Sequence, residues 1–187
     1  LISGPNAGGK SICIKTVGLL QYMWQCGLLI PMLEDSVVGV FDNIFIDIGD
    51  EQSLENDLST YSSHLNNMKF FLKNGSDSTL LIIDEFGSGT EPLIGGAIAE
   101  AELNRFNENK CFGVINTHYT NLKHFANHTE GVVNGAMLYD RHLMKPLFQL
   151  SIGNPGSSFA VEIARKIGLP EDVINHAAEI VGKEHLD

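Results

Sequence analysis

Apolar residues fall along this chain in two rhythms. Short unbroken runs, Thr79-Leu-Leu-Ile-Ile83 and Cys111-Phe-Gly-Val-Ile115, have the length and β-branched content of strands buried on both faces. Longer stretches mix apolar and polar positions at helical spacing. From Ser11 to Cys26 the apolar residues Ile12, Ile14, Val17, Leu19, Leu20, Tyr22, Met23 and Trp24 lie nearly all round, which predicts a helix buried between a sheet and another layer. Leu65, Met68, Phe71 and Leu72 mark a second helix, with Ser59 as a candidate N-cap. Leu93 to Phe106 predicts a third, in which Gly95, Gly96, Ala97, Ala99 and Ala101 would permit close packing. Shorter helices are predicted over Leu122 to Phe125 and Ser158 to Ile167, the latter stopped by Gly168, and Pro170-Glu-Asp opens a last one. Val37 to Phe41 and Ile44 to Ile48, separated by Asp42-Asn43, predict a hairpin. Val132 to Tyr139 and Leu147 to Ile152 predict two further strands. Strands alternating with helices fit an α/β sheet with helices on its faces.

One stretch carries chemistry by itself. Gly4, Pro5, Asn6, Ala7, Gly8, Gly9, Lys10 and Ser11 fit the pattern G-x-x-x-x-G-K-[ST], a P-loop. Leu1-Ile2 before it reads as the tail of a strand, and the first predicted helix follows it. Glycines let backbone N–H groups approach phosphate oxygens, and the helix N-terminus adds partial positive charge. Lys10 is the expected partner of the β- and γ-phosphates, and Ser11 offers its hydroxyl to Mg²⁺.

Asp84-Glu85 ends the apolar run Leu80 to Ile83, where α/β folds place ligand-binding groups. Four apolar residues followed by Asp-Glu form a Walker B pattern. Asp84 is expected to hold Mg²⁺, and Glu85 to orient or deprotonate the attacking water. His118 follows the next strand and is a candidate for the γ-phosphate or the water in line with it. The other six histidines, His64 among them, read as satisfied loop histidines. Ser59 and Thr60 stand at a helix start. They can cap that helix, or contact a nucleotide held mainly by another subunit, and sequence chemistry leaves both open.

Composition narrows the classes. The 187 residues, 43% hydrophobic, suit one domain with a real core. No run approaches a membrane span, and no basic stretch followed by an apolar one reads as a secretory signal within these residues. The chain starts without Met on what reads as a strand end, so a piece of a longer protein is expected. A formal net charge of −11 argues against this piece alone clamping nucleic acid. Cys13, Cys26 and Cys111 are few, odd in number and without metal-site spacing, which suggests a reducing, cytoplasmic setting.

Together, GPNAGGKS, the Ser59 helix start, LLIIDE and THY resemble the ATPase core of the MutS family, within the larger class of ABC-type ATPases. Residues 47 to 64 (DIGDEQSLENDLSTYSSH) and 152 to 170 (IGNPGSSFAVEIARKIGLP) look like the bacterial MutS-two branch. The resemblance covers essentially the whole chain. It implies a P-loop NTPase of ABC-ATPase type, with a mixed central sheet, ATP and Mg²⁺ as ligands, and a homodimer with two composite sites. In that picture Gly4 to Ser11, Asp84, Glu85 and His118 line one side of a site, while Ser59 and Thr60 close the partner's. Phe148 falls roughly where the family places a ring against adenine, with a core aromatic as the other reading. Gly87-Ser-Gly-Thr90 resembles the loop after Walker B that crosses the dimer interface, or is an ordinary turn.

Full-length members of the branch carry a clamp and lever upstream and a nuclease domain downstream, and are linked to branched DNA, recombination and collided ribosomes. Tyr61 stands where a Phe is common. The function expected from the resemblance is an ATP-hydrolysing dimerisation domain that couples nucleotide state to DNA or ribosome handling. The alternatives are an ATP-gated clamp of mismatch repair or recombination, and an unrelated P-loop kinase. The kinase would want an Arg-rich acceptor lid, which this Arg-poor chain lacks.

Overall fold

The strand β3 (Thr79–Ile83) is buried at every residue, and the fold is built on its two faces. The computed structural model describes residues 1–4, 8–49, 57–140, 143, 145–156 and 160–184. In chain order the elements are β1 (Ile2–Ser3), α1 (Lys10–Gln25), β2 (Asn43–Asp47), α2 (Asp57–Asn74), β3, α3 (Pro92–Glu108), β4 (Phe112–Ile115), α4 (Thr120–His128), β5 (Gly135–Asp140), β6 (Lys145–Ile152), α5 (Ala160–Lys166) and α6 (Glu171–Glu184). Strands β2, β3 and β4 run parallel in that order, and β1 lies parallel to β5, which pairs antiparallel with β6. A parallel bridge from Ile2 to Asn116 joins the two three-stranded sheets.

Alternation along β3 sends side chains to opposite faces. Leu80 and Ile82 pack with Ile14 of α1, Ile2 and Met137. Leu81 and Ile83 pack with Met68 and Phe71 of α2, Ala99, Leu103 and Phe106 of α3, and Leu122 of α4. Helices therefore cover both faces, and the α/β expectation stands. Of the small residues of α3, Gly95, Gly96 and Ala99 are buried and do the close packing, whereas Ala97 and Ala101 are exposed. A Cβ on Gly95 would lie 2.8 Å from the Tyr119 hydroxyl, and one on Gly96 would lie 2.9 Å from Asn121 Oδ1.

Three expectations are corrected. Val37 to Phe41 forms no strand, and β2 pairs in parallel with β3, from Asn43 opposite Thr79 to Asp47 opposite Ile83. The amides of Asp42 and Asn43 both donate to the Ser78 carbonyl, at 2.9 and 3.4 Å, which fixes the entry to β2 on the turn before β3 rather than on a hairpin. Helix α1 is not enclosed. Lys10, Ile14 and Gly18, four apart, form its buried stripe, while Ile12, Leu19 and Tyr22 are about 60% exposed. Apolar content all round does not decide burial when a helix meets the sheet along one line only. Finally, α2 begins at Asp57, so Ser59 sits inside the first turn and is not its N-cap.

Candidate nucleotide site

Parallel register gathers the polar residues at one end of the sheet. Ile83 lies opposite Ile115, so the residues that follow each strand, Asp84 and Asn116, emerge side by side. Both are buried. The Asn116 amide donates through Nδ2 to Asp84 Oδ1, and its Oδ1 accepts the Glu85 amide at 2.7 Å. Glu85 itself takes a positive φ of 52°, a strained conformation for a non-glycine residue, worth roughly 1–3 kcal/mol. Its neighbours over-determine it. The Phe86 amide donates to the Asn116 carbonyl at 2.9 Å, and Thr117 Oγ1 donates to the Phe86 carbonyl at 3.1 Å.

From the other side comes the start of α1. The Ser11 hydroxyl donates to Asp84 Oδ1 at 3.2 Å, so the end of the P-loop and the end of β3 meet. Lys10, 2% exposed, donates from Nζ to the Gly4 carbonyl at 2.6 Å, across the mouth of its own loop. Burial pulls its pKa down to about 8, against the pull of Asp84 and Glu85 in the opposite direction, and Lys123 adds to the lowering. Gly9 has a φ of 86°, which suits glycine. Of the P-loop, Gly4, Gly8, Gly9, Lys10 and Ser11 are described, whereas Pro5, Asn6 and Ala7 lie outside the described residues.

Phe148 is no core residue. It is 62% exposed, and its ring lies so close over the P-loop that a Cβ on Gly9 would meet its Cδ1 at 2.9 Å. A φ of 51° turns the residue out of the regular strand path of β6. His118 lies three residues past Ile115, at the same end of the sheet as Glu85, with an exposed side chain. A cavity of about 520 Å³ opens beside Asp84 and Glu85 and is lined by Asp47, Thr60, Ser63, His64, Asn67 and Ser88 among others. Thr60, Ser63, His64 and Asn67 occupy one face of α2 at helical spacing. The side chain of Ser59 is outside the described set.

Two residues escaped the sequence reading. Asn116 belongs to none of the motifs, and only the register of β3 and β4 sets it beside Asp84. His64 was placed among satisfied loop histidines. It sits instead on α2, with Nδ1 against Asp47 Oδ2 and Nε2 3.4 Å from the Gly87 amide.

Behind this cluster, burial pushes the Glu102 carboxyl of α3 up to about 7, with His64 pulling the other way, and burial, helped by Glu102, raises the Tyr61 hydroxyl. Its folded pKa lies above the ordinary 4.5, so the native state holds the extra proton across that window and loses stability as pH rises through it. Glu102→Gln is expected to raise Tm at pH 8 by about 2–4 °C and to flatten the pH dependence between about 4.5 and about 7. Thermal melts at both ends of the window check it, and a lower Tm for the variant at pH 8 would contradict the sign.

Among the described residues no helix is long and apolar enough to cross a membrane. Residues 1–184 match the family described as MutS domain V. The chain is 47% identical over 182 residues to Endonuclease MutS2 of Thermomicrobium roseum, covering 97% of this chain and 23% of that protein. It is 46% identical over 187 residues to the proteins of the same name from Finegoldia magna and Lactobacillus acidophilus, in each case covering 100% of this chain and 24% of the relative. The chain thus spans about a quarter of the length of these relatives. On the match to nearly its whole length, the chain belongs to the MutS family and constitutes its domain V.

Proposed function

We propose that this chain is the ATP-binding and ATP-hydrolysing domain of a MutS2-like protein, an ABC-type module that dimerises around nucleotide. The observation that carries the reading is the Ser11–Asp84 hydrogen bond. It brings a P-loop, its lysine and a strand-end Asp-Glu pair to one point.

In this reading the loop from Gly4 to Ser11 cradles the phosphates through its backbone N–H groups. Lys10 leaves the Gly4 carbonyl for the β- and γ-phosphates. Ser11 and Asp84 supply hard oxygen donors side by side, which fits Mg²⁺, an ion that takes one or two protein oxygens and fills its shell with water and phosphate. Ser11 and Asp84 would hold the ion, which when bound would supply positive charge beside the phosphates. Glu85 orients the attacking water and accepts its proton, while His118 faces the γ-phosphate. The exposed ring of Phe148 lies against Gly9, which supports a role in stacking on the adenine. DNA or ribosome contact would fall to other parts of the longer protein, in keeping with the net charge of −11 here.

Ser59 and Thr60 close the partner's site in this picture. A second reading has a specific observation behind it: Thr60 lines the same cavity as Glu85 within one chain. There it would act in cis. Sedimentation with ATP separates the two. The composite-site reading expects an ATP-dependent dimer that Ser59→Ala abolishes, with at least about a tenfold loss of ATP turnover. A monomer that hydrolyses ATP and ignores the substitution would leave only the cis reading.

A further inference from the structure

We propose that His64 is a positioning residue for hydrolysis: it ties helix α2 to the loop that carries Glu85. The proposal rests on the ATPase reading above and names a residue that reading does not use.

The side chains of His64 and Asp47 are only 13% and 11% exposed. Both ring nitrogens are engaged. The Gly87 amide is a donor, so Nε2 must be the nitrogen with the lone pair, and Nδ1 then carries the proton towards Asp47 Oδ2. The ring edge also packs against Phe86, with centroids 6.1 Å apart. Asp47 is held twice over by α2, because Asn67 Nδ2 donates to its other oxygen at 3.0 Å. The Asp47 carbonyl accepts the Asp84 amide at 2.9 Å. A continuous path of hydrogen bonds therefore runs from one face of α2 through Asp47 to Asp84, and a second runs through His64 to Gly87.

The Glu85–Ser88 loop is pinned elsewhere from the segment between β4 and α4. Asn116 takes the Glu85 and Phe86 amides, Thr117 donates to the Phe86 carbonyl, and Tyr119 donates to the Gly87 carbonyl at 2.9 Å. From α2, His64 adds a bond to the Gly87 amide. Its reach is long at 3.4 Å, as positioning contacts often are before substrate is bound. Gly87 tolerates no side chain that would substitute for this pin. Its φ is 84°, and a Cβ there would lie 2.8 Å from both Ala99 and Tyr119. A movement of α2 thus reaches the backbone two residues from Glu85 through one imidazole.

Two isosteric variants separate the halves of the link. His64→Asn keeps a donor near the Nδ1 position, for Asp47, and loses the acceptor for Gly87. His64→Gln places Oε1 near the Nε2 position and keeps that acceptor. The expected result is that His64→Asn lowers kcat for ATP about tenfold with KM within about twofold, while His64→Gln stays within about threefold of wild type. Equal losses in both variants, or losses that follow Tm alone, would overturn the proposal. Hydrogen exchange over Phe86 to Ser88 gives a second readout that needs no turnover. It is expected to be faster in His64→Asn than in His64→Gln, and equal protection would overturn the link. If the wild type fails to turn over ATP, the ATPase reading falls, and the exchange comparison still decides whether His64 holds the loop.

Discussion

Glu85→Gln is expected to lower kcat for ATP hydrolysis about a thousandfold while leaving ATP affinity within about threefold of wild type. The substitution keeps the shape and removes the negative charge and with it the capacity to take a proton. The loop should not move, because what fixes it is backbone bonding: the Glu85 amide on Asn116 Oδ1, the Phe86 amide on the Asn116 carbonyl, and the Gly87 carbonyl on Tyr119. Asp84 keeps its bonds to Ser11 and Asn116, so the phosphate and Mg²⁺ side of the site is untouched. Steady-state turnover together with equilibrium nucleotide binding checks both halves. A loss of less than about tenfold would take the role of base away from Glu85 and turn attention to His118.

Lys10→Met should do the reverse, removing binding and sparing the fold. ATP affinity is expected to fall at least about a hundredfold, since a full charge in a nearly water-free position is lost from the phosphates. Without ligand, the variant's Tm should be unchanged or higher. Wild type keeps an ammonium group at 2% exposure, and burial works against it strongly enough to pull its pKa to about 8. An unbranched apolar side chain of similar length fits the same channel without that penalty. Calorimetric titration with ATP and a thermal melt of the free protein test the pair of signs. A variant that binds ATP normally would remove Lys10 from the site, and one that simply unfolds would make it structural.

What the sequence discloses about this protein is what local chemistry determines. The P-loop is eight consecutive residues whose spacing has one good physical use. The run into Asp84-Glu85 is buried on both faces and ends where ligands sit. Both features are local, and the fold brings them within a hydrogen bond of each other. Pairing across the sheet is another matter. Ile44 to Ile48 looked like half of a hairpin, because β propensity says nothing about which strand will lie alongside. The Ser78 carbonyl, more than thirty residues on, takes the two amides that decide it.

Asn116 and His64 were illegible for the same reason. Each works on a group brought to it by register or by helix packing, on Asp84 from 32 positions away and on Gly87 from 23. The signal that could have found Asn116 is simple: a polar residue directly after an apolar strand neighbours whatever follows the adjacent parallel strand. For His64 it is the spacing Thr60, Ser63, His64, Asn67, a polar stripe on one face of a helix that is apolar on the other. Helix α1 shows the limit of composition. Its apolar residues continue round to a surface that no described residue covers.

The most direct test of the account mixes two inactive variants. Lys10→Met lacks a group on the P-loop side of a site, and Ser59→Ala lacks one on the α2 side. If the sites are composite, a dimer of one chain of each variant carries one intact site out of two, so the mixture should turn over ATP well above the sum of the two variants measured alone, up to about a quarter of wild type where the chains pair at random. A mixture no more active than the sum of its parts would contradict the composite site and confine the chemistry to a single chain.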